Sequence, residues 1–391
     1  MKKMFLSSCT TGTIRIDSKT SVVIRRNSII SASLNISEYF VDDSIFFDAC
    51  ERERGRSLIY ANGKTGIEIT AERNAVLNGQ GKLCVGDKFE YKRPGLIRIV
   101  NCRDIKISNL ILLDSACWAI SLENCDNVVI DNVNIVSKWA SNNTGIDIDC
   151  CRNVIVKNCV LDVGDDAIAV KSTEKFQSEN ILIENCTIAS EWSAFKLGTE
   201  TVGDFSNIIF KNSVVQYSNG CAIKIVPTDG GKVKDVLIEN IEILDSTGPI
   251  FIANGQRNAS YRGESSKEES TISGVILSDI KANVHISDGE FANGIGDCVF
   301  ITGTKRRKIE NVVLQNCCFE MPGGNNAERN FSVQELFDQY PEYYTLGLSP
   351  ASGAYFRHIN GLTIDNVNIE LKEHDKRQKI IYEDVNGLKN N

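Results

Sequence analysis

The sequence predicts an all-β, single-domain protein, a parallel β-solenoid running over residues 1–391. Three observations predict it: a strand-like phrase that recurs along the chain, a second series of strands at the same period, and no helical pattern within a period. The first series comprises Ile105-Lys106-Ile107-Ser108-Asn109, Val128-Val129-Ile130-Asp131-Asn132, Val154-Ile155-Val156-Lys157-Asn158, and three phrases ending at Asn185, Asn212 and Asn240. Subtracting successive numbers puts these asparagines 23, 26, 27, 27 and 28 residues apart. The second series, centred on Ile120, Ile146, Ile168, Phe195 and Ile223, is spaced by 26, 22, 27 and 28. Periods of roughly 20–50 residues mark stacked repeats, each burying its apolar face against its neighbours. Looser copies end at Asp279, Asn316 and Asn366.

Bulk properties bound the function. Hydrophobic residues make up 42% of the 391 residues, enough for a large core, and six prolines leave no room for long linkers. A net charge of −8 gives no footprint for nucleic acid or an anionic membrane surface, so neither is expected as a partner. No apolar run is long enough to span a membrane. The start, Met1-Lys2-Lys3-Met4-Phe5-Leu6, carries too short an apolar run for a secretory signal, so it reads as a first strand. The expected compartment is the cytoplasm, or outside the cell if the N-terminus is truncated. Fourteen cysteines without a CxxC pair, and three histidines all after residue 284, imply reduced buried thiols, with no metal site and no cofactor. The oligomeric state is left open.

Within each coil, Asn109, Asn132, Asn158, Asn185, Asn212 and Asn240 are expected to stack at one turn with their amides bonded along the column. Cys102, Cys125, Cys151 and Cys50 are expected to fill another shared position. Two polar excursions, near 255–270 and 322–350, read as loops flanking a groove, and Phe331 to Tyr340 could carry a short helix. An uncapped solenoid exposes a strand edge, so residues 1–10 or a partner are expected to cover the first coil.

The chemistry concentrates between Gly145 and Ser172. Gly145-Ile146-Asp147-Ile148-Asp149 alternates, which sends the isoleucines inward and both aspartates outward. Asp165 and Asp166 are adjacent and could not both leave the core from a regular strand, so they belong at the turn that Gly164 permits. Aligning the second strand series stacks Ser121, Asp147, Ala169, Lys196 and Lys224 in one outward column. Glu123, Asp149, Lys171 and Gly198 form the column two residues further on, with Asp149 and Lys171 as a surface ion pair of little value. Thr144 and Asp166 fall at the turn before the strands. Ala119, Ala167, Ala169, Ala194 and Ala222 are expected to keep the groove floor open. Carboxylates beside lysines suit a hydroxylated anionic polymer, so a poly- or oligosaccharide is the expected partner. Trp118 and Trp192 are candidates to stack on sugar rings, and Arg257 and Tyr261 to reach the substrate from the following loop.

On these residues the chain resembles glycoside hydrolase family 28, the polygalacturonase-like right-handed parallel β-helices. The resemblance rests on RSLIYANGKTGIEITAERNAVLNGQG (56–81), NNTGIDIDCCRNVIVKNCVLDVGDDAIAVKS (142–172), SAFKLGTETVGDFSNI (193–208), AIKIVPTDGG (222–231) and FRHINGLTIDNV (356–367). It implies inverting hydrolysis of α-linked uronic-acid polymers such as pectin. One carboxyl then protonates the leaving oxygen while another activates water on the opposite face of the sugar. By motif Asp165 is the general acid, Asp166 a water-activating base and Lys224 the lysine that contacts a substrate carboxylate, and the strip itself adds Asp147 as a further catalytic carboxylate. The departures are Thr144 at a catalytic aspartate position, no histidine in Glu191-Trp192-Ser193-Ala194, and Ala222 in place of an arginine. Glu191 lies at the same turn and could restore the missing carboxylate, or it is a solvated turn residue. The alternatives are a binding relative without turnover and, last, a lyase using calcium held by Asp147, Asp149 and Glu200.

Overall fold

Alternating apolar residues and turn asparagines wind the chain into a right-handed parallel β-helix. The computed structural model describes residues 1–84, 92–286, 298–324, 333–335, 338–340, 342, 345–346 and 349–391. Thirty-one strands join through parallel pairings, each with its counterpart one coil away. Among the described residues Phe46–Phe47 and Glu53–Arg54 pair antiparallel in a small separate ribbon, and an isolated antiparallel bridge joins Tyr261 and Glu264. Among the described residues helix is confined to two 3₁₀ turns, Ile36–Glu38 and Gly81–Leu83. Of the segment 331–340 considered for a helix, residues 333–335 and 338–340 are described and form none, and the other four positions lie outside the described residues.

The pairing register reproduces the repeat. Ile105 pairs with Val128, Val128 with Val154, Val154 with Ile181 and Ile181 with Ile208. These residues face a continuous apolar interior that runs from Ile16 to Ile369. Lys2–Leu6 forms a strand that pairs with Thr20–Ile24, and its Phe5 ring lies half exposed under the Arg25 guanidinium, 4.9 Å from the centroid.

The asparagine column exists, for a reason that differs in part from the expected one. Asn132 donates to Asn109 at 2.8 Å and Asn240 to Asn212 at 2.8 Å, but Asn158 donates to Asp131 instead. What all six share is backbone conformation, with φ between 51° and 57°. That left-handed region costs an ordinary side chain about 1–2 kcal/mol, and asparagine is among the few that enter it readily. Replacing Asn158 by Ala is therefore expected to lower stability by about 1 kcal/mol and by Gly clearly less, read from urea midpoints. Equal losses would make the side-chain hydrogen bond the cause instead.

The cysteine column holds for Cys102, Cys125 and Cys151, which sit in the core. Cys50 is a correction: it is exposed, because it belongs to the turn between the two antiparallel strands rather than to a coil. The alanines need correction too. Ala119, Ala167, Ala194 and Ala222 point into the apolar interior, one residue out of phase with the groove, and only Ala169 stands on the outward column.

Candidate active site

The outward column has the expected register, with Ser121 beside Asp147, Asp147 beside Ala169, Ala169 beside Lys196 and Lys196 beside Lys224. The second column holds from Glu123 through Asp149 to Lys171 and then breaks. A bulge between Val170 and Ser172 shifts the pairing of the next strand, so Gly198 does not continue it.

Asp165 and Asp166 occupy the turn between the strands Val160–Val163 and Ile168–Ser172. A side chain at Gly164 would strike Asn143, with its Cβ only 2.8 Å from Asn143 Oδ1, so the buried Asn143 and the glycine together fix this turn. The Asp166 backbone N–H donates to Asp165 Oδ1 at 2.8 Å, and Ser190 Oγ donates to the Asp165 carbonyl at 2.8 Å. Asp165 is partly exposed. Burial of its carboxyl, and then the charge of Asp166, push it up to about 6. Asp166 is 7% exposed; its Oδ2 lies 3.1 Å from Lys196 Nζ, and its Oδ1 has no hydrogen-bond partner among the described residues.

Asp147 stands on the outward column but is covered. It is fully buried beneath Lys171, whose Nζ is 2.6 Å from Asp147 Oδ1 and 3.7 Å from Glu200 Oε2. Burial pushes Asp147 up to about 7 against the pull of Lys171, while the two carboxylates hold the ammonium above its ordinary value. The Lys171 ammonium also sits 3.8 Å from the Trp118 ring centroid, with Arg54 at 4.6 Å from the same ring. Two expectations change here. Asp147 can act on a ligand only through Lys171, and Trp118 is a buried shelf for cations rather than a sugar platform. Asp149 is not the partner of Lys171 either, since it accepts from the Thr173 N–H at 2.8 Å and from Thr173 Oγ1 at 2.6 Å. Asp147 and Glu200 both face the Lys171 ammonium while Asp149 is bound by Thr173, so a shared calcium site is not formed by these three.

At the other end of the strip Lys224 has no exposed side-chain surface and Lys196 has 3%. Both are covered by Glu342, a residue the sequence reading passed over: Lys224 Nζ lies 2.5 Å from its Oε2 and Lys196 Nζ 3.5 Å from its Oε1. Trp192 Nε1 donates to Glu342 Oε1 at 3.1 Å, and the Trp192 ring backs Lys224 at 4.4 Å. Lys196 and Lys224 are therefore not open to a substrate carboxylate in this structure, and Trp192 is occupied in holding Glu342. Glu342 carried no local sequence signal, because its partners lie more than a hundred residues away.

Arg257 is likewise engaged, donating to both oxygens of Asp229 (3.0 and 2.6 Å) and to the Thr199 carbonyl at 3.0 Å. Arg262, from the same loop, reaches Glu123 at 2.6 Å and lies 3.8 Å from the Phe46 ring centroid. Near it a cavity of about 560 Å³ is lined by Asn62, Asn101, Asn124, Asp149, Thr173 and Arg262, two strand positions along from the aspartate column. Thr144 is buried at the turn, and its carbonyl accepts from the Ala119 N–H at 2.8 Å.

Glu191 pairs with a lysine at the turn. Its half-exposed carboxylate is 3.6 Å from Lys138 Nζ, which also pairs with Asp162 at 2.7 Å on an adjacent face of the coil. Glu191→Gln is expected to change stability by less than about 0.5 kcal/mol and to leave turnover intact. A tenfold or greater loss of kcat, on the order of 1.4 kcal/mol, would return Glu191 to the site.

Residues 31–331 match the family Glycosyl hydrolases family 28. The chain belongs to this family. A "Probable polygalacturonase" of Vitis vinifera is 30% identical over 92% of the chain and 76% of its own length. A second protein so described, from Arabidopsis thaliana, is 23% identical over 73% of the chain, which spans only 63% of that relative. Among solved structures, the family 28 exopolygalacturonase of Yersinia enterocolitica superposes with a TM-score of 0.75 at 15% identity, covering 99% of this chain and 72% of its own. The exopolygalacturonase of Thermotoga maritima gives 0.67 at 18% identity, covering 94% and 84%. At such identities the structures establish the fold, and family 28 membership makes the chain a glycosidase.

Proposed function

We propose that this family 28 glycosidase hydrolyses an α-linked, uronic-acid-containing glycan of the pectin type with inversion, Asp165 protonating the leaving oxygen and Asp166 drawing a proton from water. The observation that carries the reading is the unequal environment of two adjacent carboxyls. Asp165 is half-buried and pushed up to about 6, while Asp166 is buried against the Lys196 ammonium and keeps one oxygen without a hydrogen bond among the described residues. A pair of carboxyls set apart in this way divides naturally into an acid and a base. Thr144 contributes no carboxylate, so base catalysis falls on Asp166.

A second reading, a glycan-binding protein without turnover, draws on Thr144 and on the covering of both strip lysines by Glu342. Incubation with galacturonan and rhamnogalacturonan fragments separates the two. The expected products are new reducing ends formed as the inverted anomer, without the ultraviolet absorbance of an unsaturated sugar. Retained anomers or unsaturated products would overturn the mechanism, and no products at all would favour the binder.

The pH dependence follows from the acid. Asp165 must be protonated to act, so kcat/KM is expected to fall about tenfold per pH unit above roughly pH 6. A profile flat from pH 5 to about 8 would remove Asp165 from the acid role.

A further inference from the structure

We infer that the cavity beside Arg262 is a second, non-catalytic glycan site that takes an uncharged sugar unit and excludes a uronate. This goes beyond the hydrolysis proposed above; only the class of ligand, a glycan, rests on that reading.

The cavity volume of about 560 Å³ falls within the roughly 300–1,000 Å³ of small-molecule sites. Successive coils supply its floor where strands end in a left-handed turn residue. Asn101 and Asn124 have φ of 51° and 50°, and Cys150, one coil on, has 55°. The amides form a short ladder: Asn124 Nδ2 donates to Asn101 Oδ1 at 2.8 Å, and Asn101 Nδ2 to Asn62 Oδ1 at 3.1 Å. It stops at Cys150, whose thiol donates instead to Asp149 Oδ1 at 3.2 Å. Asn124 Oδ1 therefore accepts no hydrogen bond among the described residues and is left for a ligand hydroxyl. Ile45 and Val100 are the aliphatic side chains among the described lining residues, so polar contacts dominate, which suits a hydroxylated ligand.

Charge decides which sugar fits. Asp43, Glu123, Asp149 and Glu174 line the cavity, and Arg262 is the one guanidinium among the described lining residues. Arg98 lies behind and donates to both oxygens of Glu123 at 2.7 Å. Four carboxylates against two guanidinium groups leave two negative charges in excess. A uronate would add a third and find Arg262 already engaged by Glu123 at 2.6 Å and Glu174 at 3.4 Å. An uncharged unit meets no such repulsion, and its hydroxyls can donate to the carboxylates and accept from the amides. The cavity also lies apart from the acid pair. Asp166 precedes the strand Ile168–Ser172 and Thr173, at the cavity, follows it. The seven steps between those two residues span roughly 20 Å of extended chain. Lys171, packed over Trp118, occupies the strand between.

The test is binding rather than turnover, so that ligand is not consumed. An Asp165→Asn variant is titrated by calorimetry, at low ionic strength, with trisaccharides of galactose, rhamnose and arabinose and with the trisaccharide of galacturonic acid. At least one neutral trisaccharide is expected to bind, and an equal concentration of the uronate trisaccharide should not displace it. Adding Asn124→Gly keeps the left-handed turn but removes the amide, and should weaken that binding about tenfold, the size of one or two hydrogen bonds. No binding by any of the three neutral trisaccharides, an unchanged affinity with Asn124→Gly, or equal displacement by the uronate overturns the inference. Hydrolysis is read separately, from the products of the wild type on galacturonan fragments, so either reading can fail alone. Should Asn124→Gly not fold, Asn62→Ala removes the first amide of the ladder, and a loss of about fivefold or more decides in its place.

Discussion

An Asp165→Asn variant is expected to keep its fold and lose about 10²–10⁴-fold in kcat/KM on any glycan the wild type cleaves. The amide has nearly the same shape and can still accept the Asp166 N–H, so the turn is not disturbed. It cannot deliver a proton to the leaving oxygen. Stability should move in the opposite direction to activity. The Asp165 carboxyl titrates at about 6 instead of an ordinary 3.8, so between those values the folded state holds a proton that the unfolded state has released. More protons bound in the native state means stability falls as pH rises through that window, and at neutral pH the ionised group is a net cost. Asparagine has no such cost, so at pH 7 the variant should be at least as resistant to urea as the wild type, the two converging near pH 4. Loss of activity together with a clearly lower urea midpoint would mean that the substitution damaged the turn. Full activity would give the acid role to another residue.

The coil repeat was legible because its cause is local. Strand phrases at a 22–28 residue spacing can bury their apolar faces only by stacking, and the register of Ser121, Asp147, Ala169, Lys196 and Lys224 follows from that spacing alone. The asparagines marked the turns even though their main reason, a left-handed backbone, is not visible as a hydrogen-bonding pattern. The misplacement of four alanines came from a one-residue error of phase, and in a strand one residue exchanges inside for outside. Gly198 was displaced by a bulge, which a constant repeat does not announce.

The site was legible as a list of positions and not as a set of contacts. Which aspartates share a strip follows from register, whereas what covers them depends on segments far away in sequence. Arg262 comes from the loop after residue 255, and Glu342 from the loop beyond residue 322. Each brings a charge to a strip residue and removes it from solvent. An outward-facing column therefore became a largely buried ionic network, with Asp165 left at its opening.

That burial gives Lys171 an outsized role. Lys171→Met should keep the aliphatic bulk over Trp118 while leaving Asp147 without its ammonium partner, at a cost of about 3–5 kcal/mol. Glu200 retains the Ala49 N–H at 3.2 Å, so the penalty falls mainly on Asp147. Asp147 is pushed up to about 7 with Lys171 present, and removal of the cation raises it further. The folded variant therefore holds a proton on Asp147 over a wider range than the unfolded chain, and its stability should rise as pH falls through that range. The deficit relative to wild type is expected to be largest near pH 8 and to shrink by pH 5. Combining Lys171→Met with Asp147→Asn removes the uncompensated charge and should recover most of the loss, since replacing both members of a buried pair costs far less than removing one. A single variant within about 1 kcal/mol of wild type at every pH would show that solvent reaches Asp147, and the closed network described here would be wrong.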